Sequence, residues 1–290
     1  MAILRRLLCA CLLSAAVAAA MAEPIVVRYP RAESIDDERG EYGQALLDLA
    51  LAKSGGHYRA ELSPTRMQQN RALVELQSGS GRIDIVGTMT SAEREEALLP
   101  VRIPMTRGLI GWRIGLVRAD HKDLLRDVRT VDDLKRYTTA QGHDWPDLQI
   151  LRHSGLKVHP VAVYSGLFGM LNAGRIDWAP RSANEIWAEA ARHPGLAIDP
   201  YIVVHYPTAD YFFVNRNNPA LAEAVRTGLE AALADGSFEQ LFYLHYGRLL
   251  RNARFEHRLV IHLPNPLLSP QTPLSRKELW FTLDDLKRYP

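Results

Sequence analysis

Cysteine is nearly missing from this chain. Its 290 residues hold two, Cys9 and Cys11, both inside an apolar leader, so the processed chain is expected to have none and no disulfide framework holds its fold. Long apolar runs are missing too: beyond the leader nothing approaches the ~18 consecutive apolar residues of a membrane span. Neither sign of charge is in excess. Lysine and arginine number 35 and aspartate and glutamate 33. Without Arg5 and Arg6 of the leader the balance is 33 against 33, a formal charge of zero that offers no footprint for nucleic acid or a membrane surface. The ten histidines include no His-Glu-x-x-His and no close pair spaced for zinc. There is no Gly-x-Ser-x-Gly elbow, no phosphate loop, no internal repeat and no low-complexity tract. No metal, no cofactor and no catalytic constellation is therefore expected.

The leader itself spans residues 1–22: Arg5-Arg6, an apolar stretch from Leu7 to Ala20, and Ala20-Met21-Ala22 before Glu23. This reads as a secretory signal peptide removed on export. The apolar segment continues well past Cys11, which argues against a lipid anchor there. The remaining 268 residues (290 minus 22) are ample for one large domain or two lobes.

The chain is organised around Arg82 to Arg94. Ile83 to Val86 is an apolar run fit for a buried strand, Gly87 to Thr90 is small and flexible, and Ser91 opens a helix with Glu93 and Glu95 in its first turn. Strand, loop and helix in this order place a loop where open α/β sheets hold ligands, and Arg94 adds a fixed fork suited to a carboxylate. The bland alternative is an exposed ion pair with a neighbouring glutamate. Before this stretch, Ile25 to Tyr29 reads as a strand, Glu41 to Ser54 as a helix closed by Gly55-Gly56, Tyr58 to Leu62 as a strand, and Ser63-Pro64 as the cap of a helix running to about Gln77. After it come a capping box at Thr130 and Asp133, a strand over Thr138 to Gln141, a helix near Asp144, and a strand at Lys157 to Val163. Then follow a helix ended by Gly174, a strand over Arg175 to Ala179 and a helix from Ser182. Alternating strands and helices imply mostly parallel sheets. The acidic run Asp36-Asp37-Glu38 and the arginines 251, 254 and 258 read as solvated faces.

In order and spacing, Tyr42 to Ser54, Asp84 to Arg94 with its Ser-x-x-Arg, Val131-Asp132-Asp133-Leu134, Gln141-Gly142, Gly174-Arg175-Ile176-Asp177 and Asp235-Gly236-Ser237-Phe238 run through nearly the whole mature chain. Together they resemble the extracellular solute-binding proteins of family 3, periplasmic proteins best known for holding polar amino acids. The resemblance implies a type II periplasmic binding fold: two α/β lobes, each a mostly parallel sheet flanked by helices, joined by two hinge crossings with the ligand between them. Residues 23–112 are expected in lobe 1, 113–208 in lobe 2, 209–257 back in lobe 1, and 258–290 in a tail that wraps the surface. The crossings are expected near Gly111 to Leu116 and Pro207 to Phe212.

What the resemblance implies for the site follows residue by residue. Arg94 would hold a ligand carboxylate, with Thr88 and Thr90 beside it. Five residues before that arginine relatives carry a hydroxyl, and here stands Met89. Five residues after the Asp of Gly-Arg-x-Asp they carry the acid that pairs the ligand's ammonium, and here stands Ser182 beside Arg181; Glu185 restores an acid only through a shift of register. These departures make an anionic or neutral polar ligand competitive with an α-amino acid. Tyr29 and Tyr42 stand where aromatic residues line the ligand, with core packing as the alternative, and His143 is a candidate on the lobe 2 side. Arg113 reads as an interlobe pair or a ligand contact. The expected function is capture of a small polar solute in the periplasm by a monomer that hands it to an ABC permease or a sensor. The rivals are an enzyme on the same fold, like the cyclohexadienyl dehydratases, using Glu185 as acid or base, and an interaction module without a ligand.

Overall fold

The computed structural model describes residues 23–32 and 40–288. The leader at 1–22 and the acidic run Asp36-Asp37-Glu38 lie outside the described residues. The chain runs β1 (Ile25–Arg31), α1 (Glu41–Lys53), β2 (Tyr58–Arg66), α2 (Gln69–Ser78), β3 (Ile85–Met89), α3 (Ala92–Ala97) and β4 (Leu99–Val101). It then crosses into a second set: β5 (Trp112–Arg118), α4 (Val131–Leu134), β6 (Thr138–Gly142), α5 (Pro146–His153), β7 (Lys157–Val161), α6 (Tyr164–Asn172), β8 (Trp178–Ser182), α7 (Ile186–Arg192) and β9 (Leu196–His205). It returns through β10 (Asp210–Val214), α8 (Pro219–Ala234) and α9 (Ser237–Ala253), and ends with β11 (Leu259–His262) and the single turn α10 (Asp285–Arg288).

Lobe 1 sets parallel β1 and β2 beside β3, with the Asp84 amide donating to the Arg28 carbonyl at 2.9 Å across the join. The returning strand β10 lies between β3 and β4, antiparallel to both. Lobe 2 repeats the plan: β6 and β7 are parallel, and β5 lies antiparallel between β8 and β9. The Asp177 amide donates to the Thr138 carbonyl at 2.9 Å, and the Asp177 carboxylate takes the Thr138 amide and hydroxyl. The aspartate of Gly-Arg-x-Asp thus joins two halves of a sheet. Each lobe's parallel pairs are joined by one antiparallel strand that leads to or from a crossing, so its direction is set by the chain passing between lobes.

Helices form where expected and for the expected reasons. On α8 the buried residues Leu221, Ala222, Val225, Gly228, Leu229 and Ala232 recur at three- and four-residue steps, Asn218 caps the Leu221 amide and Pro219 fills the first turn. A Cβ on Gly228 would lie 1.8 Å from the Ala50 carbonyl oxygen, so α8 rests directly on the backbone of α1. The capping box at Thr130 and Asp133 is present with both reciprocal bonds. Two readings need correction. Ser63-Pro64 does not cap a helix: β2 continues through it to Arg66, where the pairing with β1 shifts register, and α2 starts at Gln69. An edge strand with one paired neighbour tolerates a missing donor. The strand after Gly174 lies at Trp178–Ser182, three residues later than the sequence pattern places it.

The crossings occupy residues 102–111 and 206–209. They run side by side, the Tyr206 amide donating to the Gly111 carbonyl at 3.2 Å, and a Cβ on Gly111 would stand 2.3 Å from the Tyr206 carbonyl oxygen. The tail, expected on the surface, is built into both lobes. β11 adds a parallel strand to β9. Asn265 donates to the Pro207 carbonyl at 2.9 Å, the Ala92 amide to the Leu267 carbonyl at 3.2 Å, and the Phe281 amide to the Arg107 carbonyl at 2.7 Å. Phe281 is buried against Trp112 and Phe255. The tail runs from lobe 1 to lobe 2 and back along the crossings. Its burial predicts that Phe281→Ala lowers the free energy of unfolding by about 3–5 kcal/mol in urea titration; a loss under about 0.5 kcal/mol would mean that the tail is a surface wrap after all.

Candidate functional site

Strands β1 and β3 and the head of β10 from lobe 1, the ends of β6 and β8 from lobe 2 and the first crossing converge on a cleft of about 210 Å³. That suits a small solute and is below the ~300–1,000 Å³ of drug-sized pockets. A second cavity of about 620 Å³ opens behind it and shares Tyr42, Tyr164, Asn184, Glu185 and Tyr246.

Arg94 is held by its own strand and helix. Ser91 caps α3, its hydroxyl accepting the Arg94 amide at 3.2 Å, which aims the side chain back along β3. One end of the guanidinium donates to Thr88 Oγ1 at 3.0 Å and to the Met89 carbonyl at 2.7 Å. The other donates to Gln69 Oε1 at 2.9 Å and, across the cleft, to the Asp144 carbonyl at 3.0 Å. All four acceptors are neutral oxygens, and among the described residues no carboxylate pairs with it directly. Burial pushes its pKa down to about 10, opposed only at a distance by Asp144, Asp147 and Glu93. Arg94 itself lies just behind the cleft wall, which its partners Gln69, Thr88, Met89 and Asp144 line.

The other cleft arginines are neutralised. Arg113, from β5, pairs with Asp147 at the start of α5, and the Tyr206 hydroxyl also donates to Asp147. Burial works against its charge, and Asp147, Tyr206 and Glu185 overcome it, so its pKa is raised. Arg181, from β8, makes a two-pronged pair with Glu189 at 2.8 and 2.7 Å and a third bond to Glu185 at 2.8 Å. Trp145 and Tyr164 cover its face at 5.1 and 5.8 Å. Burial again opposes the charge, and the two glutamates carry the pKa well above the ordinary value. Arg113 Nε and Arg181 Nη1 have no hydrogen-bond partner among the described residues.

The structure brings Tyr29, Tyr42, Thr88 and Arg181 to the cleft wall. Tyr29 is edge-on to Phe212, and Gly43 and Gly87 leave the space its hydroxyl occupies. Tyr42 donates to the Met105 carbonyl at 2.8 Å and packs on Tyr246. Three candidates lie elsewhere. Thr90 is buried and donates to Glu95 at 2.6 Å. Ser182 sits inside β8, bonded to the Leu109 carbonyl and to Asn184. The His143 side chain is exposed on the rim. Met89, which replaces a family hydroxyl, keeps its carbonyl on Arg94 and joins the apolar cluster of Tyr206, Ile261 and Leu263 from lobe 2 and the tail. Glu185 does reach the cleft, tied to Arg181.

Sequence reasoning missed Gln69, Asp147, Tyr246 and, above all, Asp210. Asp210 opens β10, opposite Met89 in register, and is buried on the cleft wall. Its Oδ1 accepts the Thr106 amide at 3.1 Å and hydroxyl at 2.8 Å. Burial raises its pKa to about 6 against those bonds, and the charge of Glu185 adds to the rise. The one signal in the sequence was an aspartate heading the run Tyr211 to Val214, where strand interiors are otherwise apolar.

No protein-family model matches the chain, and no curated protein does. Solved structures match it well. An ancestral arginine-binding protein bound to arginine is 20% identical with a TM-score of 0.59, over 78% of this chain and 99% of that one. A histidine kinase sensor domain with similarity to periplasmic binding proteins is 18% identical with a TM-score of 0.57, over 78% and 96%. An ancestral amino acid-binding protein, a precursor of cyclohexadienyl dehydratase, is 17% identical with a TM-score of 0.56, over 76% and 95%. At these identities the likeness is one of fold, and the chain has the two-lobed α/β fold of the type II periplasmic binding proteins.

Asp210 sets a pH dependence with a defined sign. Its pKa is higher folded than unfolded, so the native state holds its proton more tightly, and stability falls as pH rises from about 4 through 6. Asp210→Asn removes that loss while keeping an acceptor for Thr106. Between pH 4 and 7.5 the stability difference between variant and wild type should move by about 3 kcal/mol in the variant's favour, from the shift of about two units. Urea titrations at the two pH values check this, and a difference independent of pH would contradict it.

Proposed function

We propose that this protein is a periplasmic solute-binding protein that closes its two lobes on a small polar solute carrying an anionic group. The observation that carries this reading is Arg94: a buried guanidinium with neutral partners only, shared between lobes at the wall of a cleft sized for a small molecule. A buried cation without a counter-charge is costly. An anion entering between Arg94 and the Asp144 carbonyl would supply that charge, and the solute would then take the place of the Arg94–Asp144 bond between the lobes. Such a solute stabilises the closed form through contacts made only there. Thr88 and Gln69 orient the guanidinium, and Arg113 Nε and Arg181 Nη1 offer further donors to a polar ligand.

Among the carboxylates of the cleft, Glu185 is engaged by Arg181 and Asp147 by Arg113, which fits fixed binding surfaces. Asp210, with its pKa raised to about 6, is the one group placed for an acid or base, and turnover of a bound solute that is lost in Asp210→Asn would favour an enzyme instead. The neighbours that hold amino acids, and the one that is a sensor domain, support delivery of the solute to an ABC permease or to a sensor protein, and the leader supports the periplasm as the place.

The test is a thermal-shift screen of residues 23–290 against amino acids, organic acids and other small polar metabolites, followed by calorimetric titration of the hits with wild type and Arg94→Ala. A solute at 100 times its Kd should stabilise the fold by about 2.7 kcal/mol. The carboxylate-bearing hits should lose about tenfold or more in affinity in the variant. Hits bound equally by both proteins would remove Arg94 from the site, and a panel without hits would favour an interaction module.

A further inference from the structure

Among the described residues, two of the four carboxylates on the cleft wall pair with arginines. Asp147 pairs with Arg113 and Glu185 with Arg181. Asp144 forms no ion pair with Arg94, which it touches through its backbone carbonyl, and has His143 Nδ1 at 3.9 Å. Asp210 lies only 6% exposed, and among the described residues no lysine, arginine or histidine forms an ion pair with it. Its bonds come from Thr106, both to Oδ1. Around it stand three tyrosines of lobe 1. Tyr29, Tyr42 and Tyr246 all line the same cavity, all feel the charge of Asp210, and the rings of Tyr42 and Tyr246 approach to 4.8 Å. A buried carboxylate among tyrosines at a cavity wall suits an organic cation: the carboxylate accepts a charge-assisted hydrogen bond, and the ring quadrupoles favour a nearby positive charge.

We propose that Asp210, with Tyr29, Tyr42 and Tyr246, forms a subsite in the interlobe cleft for a ligand's ammonium or guanidinium group. This rests on the reading of the cleft as a solute site, and it adds the second half of the ligand's chemistry. The position from which relatives supply an acid is Ser182 here, which is buried within β8 away from the cleft; the acid that faces the cleft comes from β10 instead. The purely structural role of Asp210, tying the second crossing to the first through Thr106, needs only an acceptor oxygen. Asparagine keeps that oxygen and removes the charge, so the two roles separate experimentally.

The experiment is isothermal titration of wild type and Asp210→Asn with pairs of probes that differ by one cationic group. L-lysine against L-norleucine tests a side-chain ammonium, L-arginine against L-citrulline a guanidinium, and L-leucine against its 2-hydroxy acid analogue the α-ammonium. In wild type, the cationic member of at least one pair should bind about tenfold or more tightly than its neutral partner. In Asp210→Asn that preference should vanish while the neutral partner keeps its wild-type affinity, with the thermal transition confirming that the variant folds. If the variant does not fold, the wild-type ratios decide. Solutes that bind with no preference for the cation in any pair, or a preference that survives in Asp210→Asn, would overturn the subsite and leave the solute-binding reading standing. Failure of all six probes and of the wider solute panel would overturn both.

Discussion

Two buried charges that find no counter-charge among the described residues govern this cleft. Arg94 is surrounded by oxygens that carry no charge, and Asp210 by the amide and hydroxyl of a threonine. Burying an ionised group costs several kcal/mol unless it is paired, and most of the charged groups nearby obey that rule: Arg113 with Asp147, Arg181 with Glu189 and Glu185, Arg102 with Glu95. The two exceptions both belong to lobe 1: Arg94 from α3, just after β3, and Asp210 from β10, paired in register to Met89 of β3, whose carbonyl holds Arg94. An anion and a cation left uncompensated side by side, one at the wall of the cavity and one just behind it, are complementary to a molecule with both charges. The cost of keeping them in the free protein is the reason a ligand would be held tightly.

The rest of the molecule maintains that arrangement. The ion pairs of lobe 2 fix Trp145 and Tyr164 on the opposite wall, because both rings lie over the Arg181 guanidinium. The crossings lie against each other at Gly111 and Tyr206, where a side chain at position 111 has no room. The tail follows the crossings and joins both lobes, with β11 in the sheet of lobe 2 and Phe281 docked at Arg107. Three passages of chain therefore join the lobes, and Met89 couples the strand of the site to the apolar cluster where the tail docks.

Much of this was legible in the sequence. The alternation of strand and helix, the Ser91 cap, the Thr130 capping box and the periodic face of α8 are local patterns, and local patterns survive folding when one face of the element is buried. Tyr29, Tyr42, Thr88 and Arg181, candidates through the family resemblance, lie on the wall of the cleft. What could not be read was which way a residue faces near a crossing. A shift of three residues in β8 placed Ser182 inside the sheet and let Glu185 reach the cleft. Ser63-Pro64 looked like a helix cap because cap chemistry and edge-strand chemistry share residue types. Asp210 was invisible because its meaning depends on Thr106, 104 positions earlier, and on three tyrosines gathered from separate elements. The tail carried few periodic signals, and only the unpaired edge of β9 explains why β11 lies there.

An interaction module would have no reason to keep uncompensated charges inside a cavity. A binder of dipolar solutes explains both Arg94 and Asp210. The most direct measurement is the crystal structure of the protein with its tightest solute. An anionic group on Arg94 in place of the Asp144 carbonyl, together with a cationic group within hydrogen-bond distance of the Asp210 carboxylate, is the predicted result. A solute whose charged groups face only Arg113 and Arg181, leaving Arg94 and Asp210 bonded as they are without it, would contradict it.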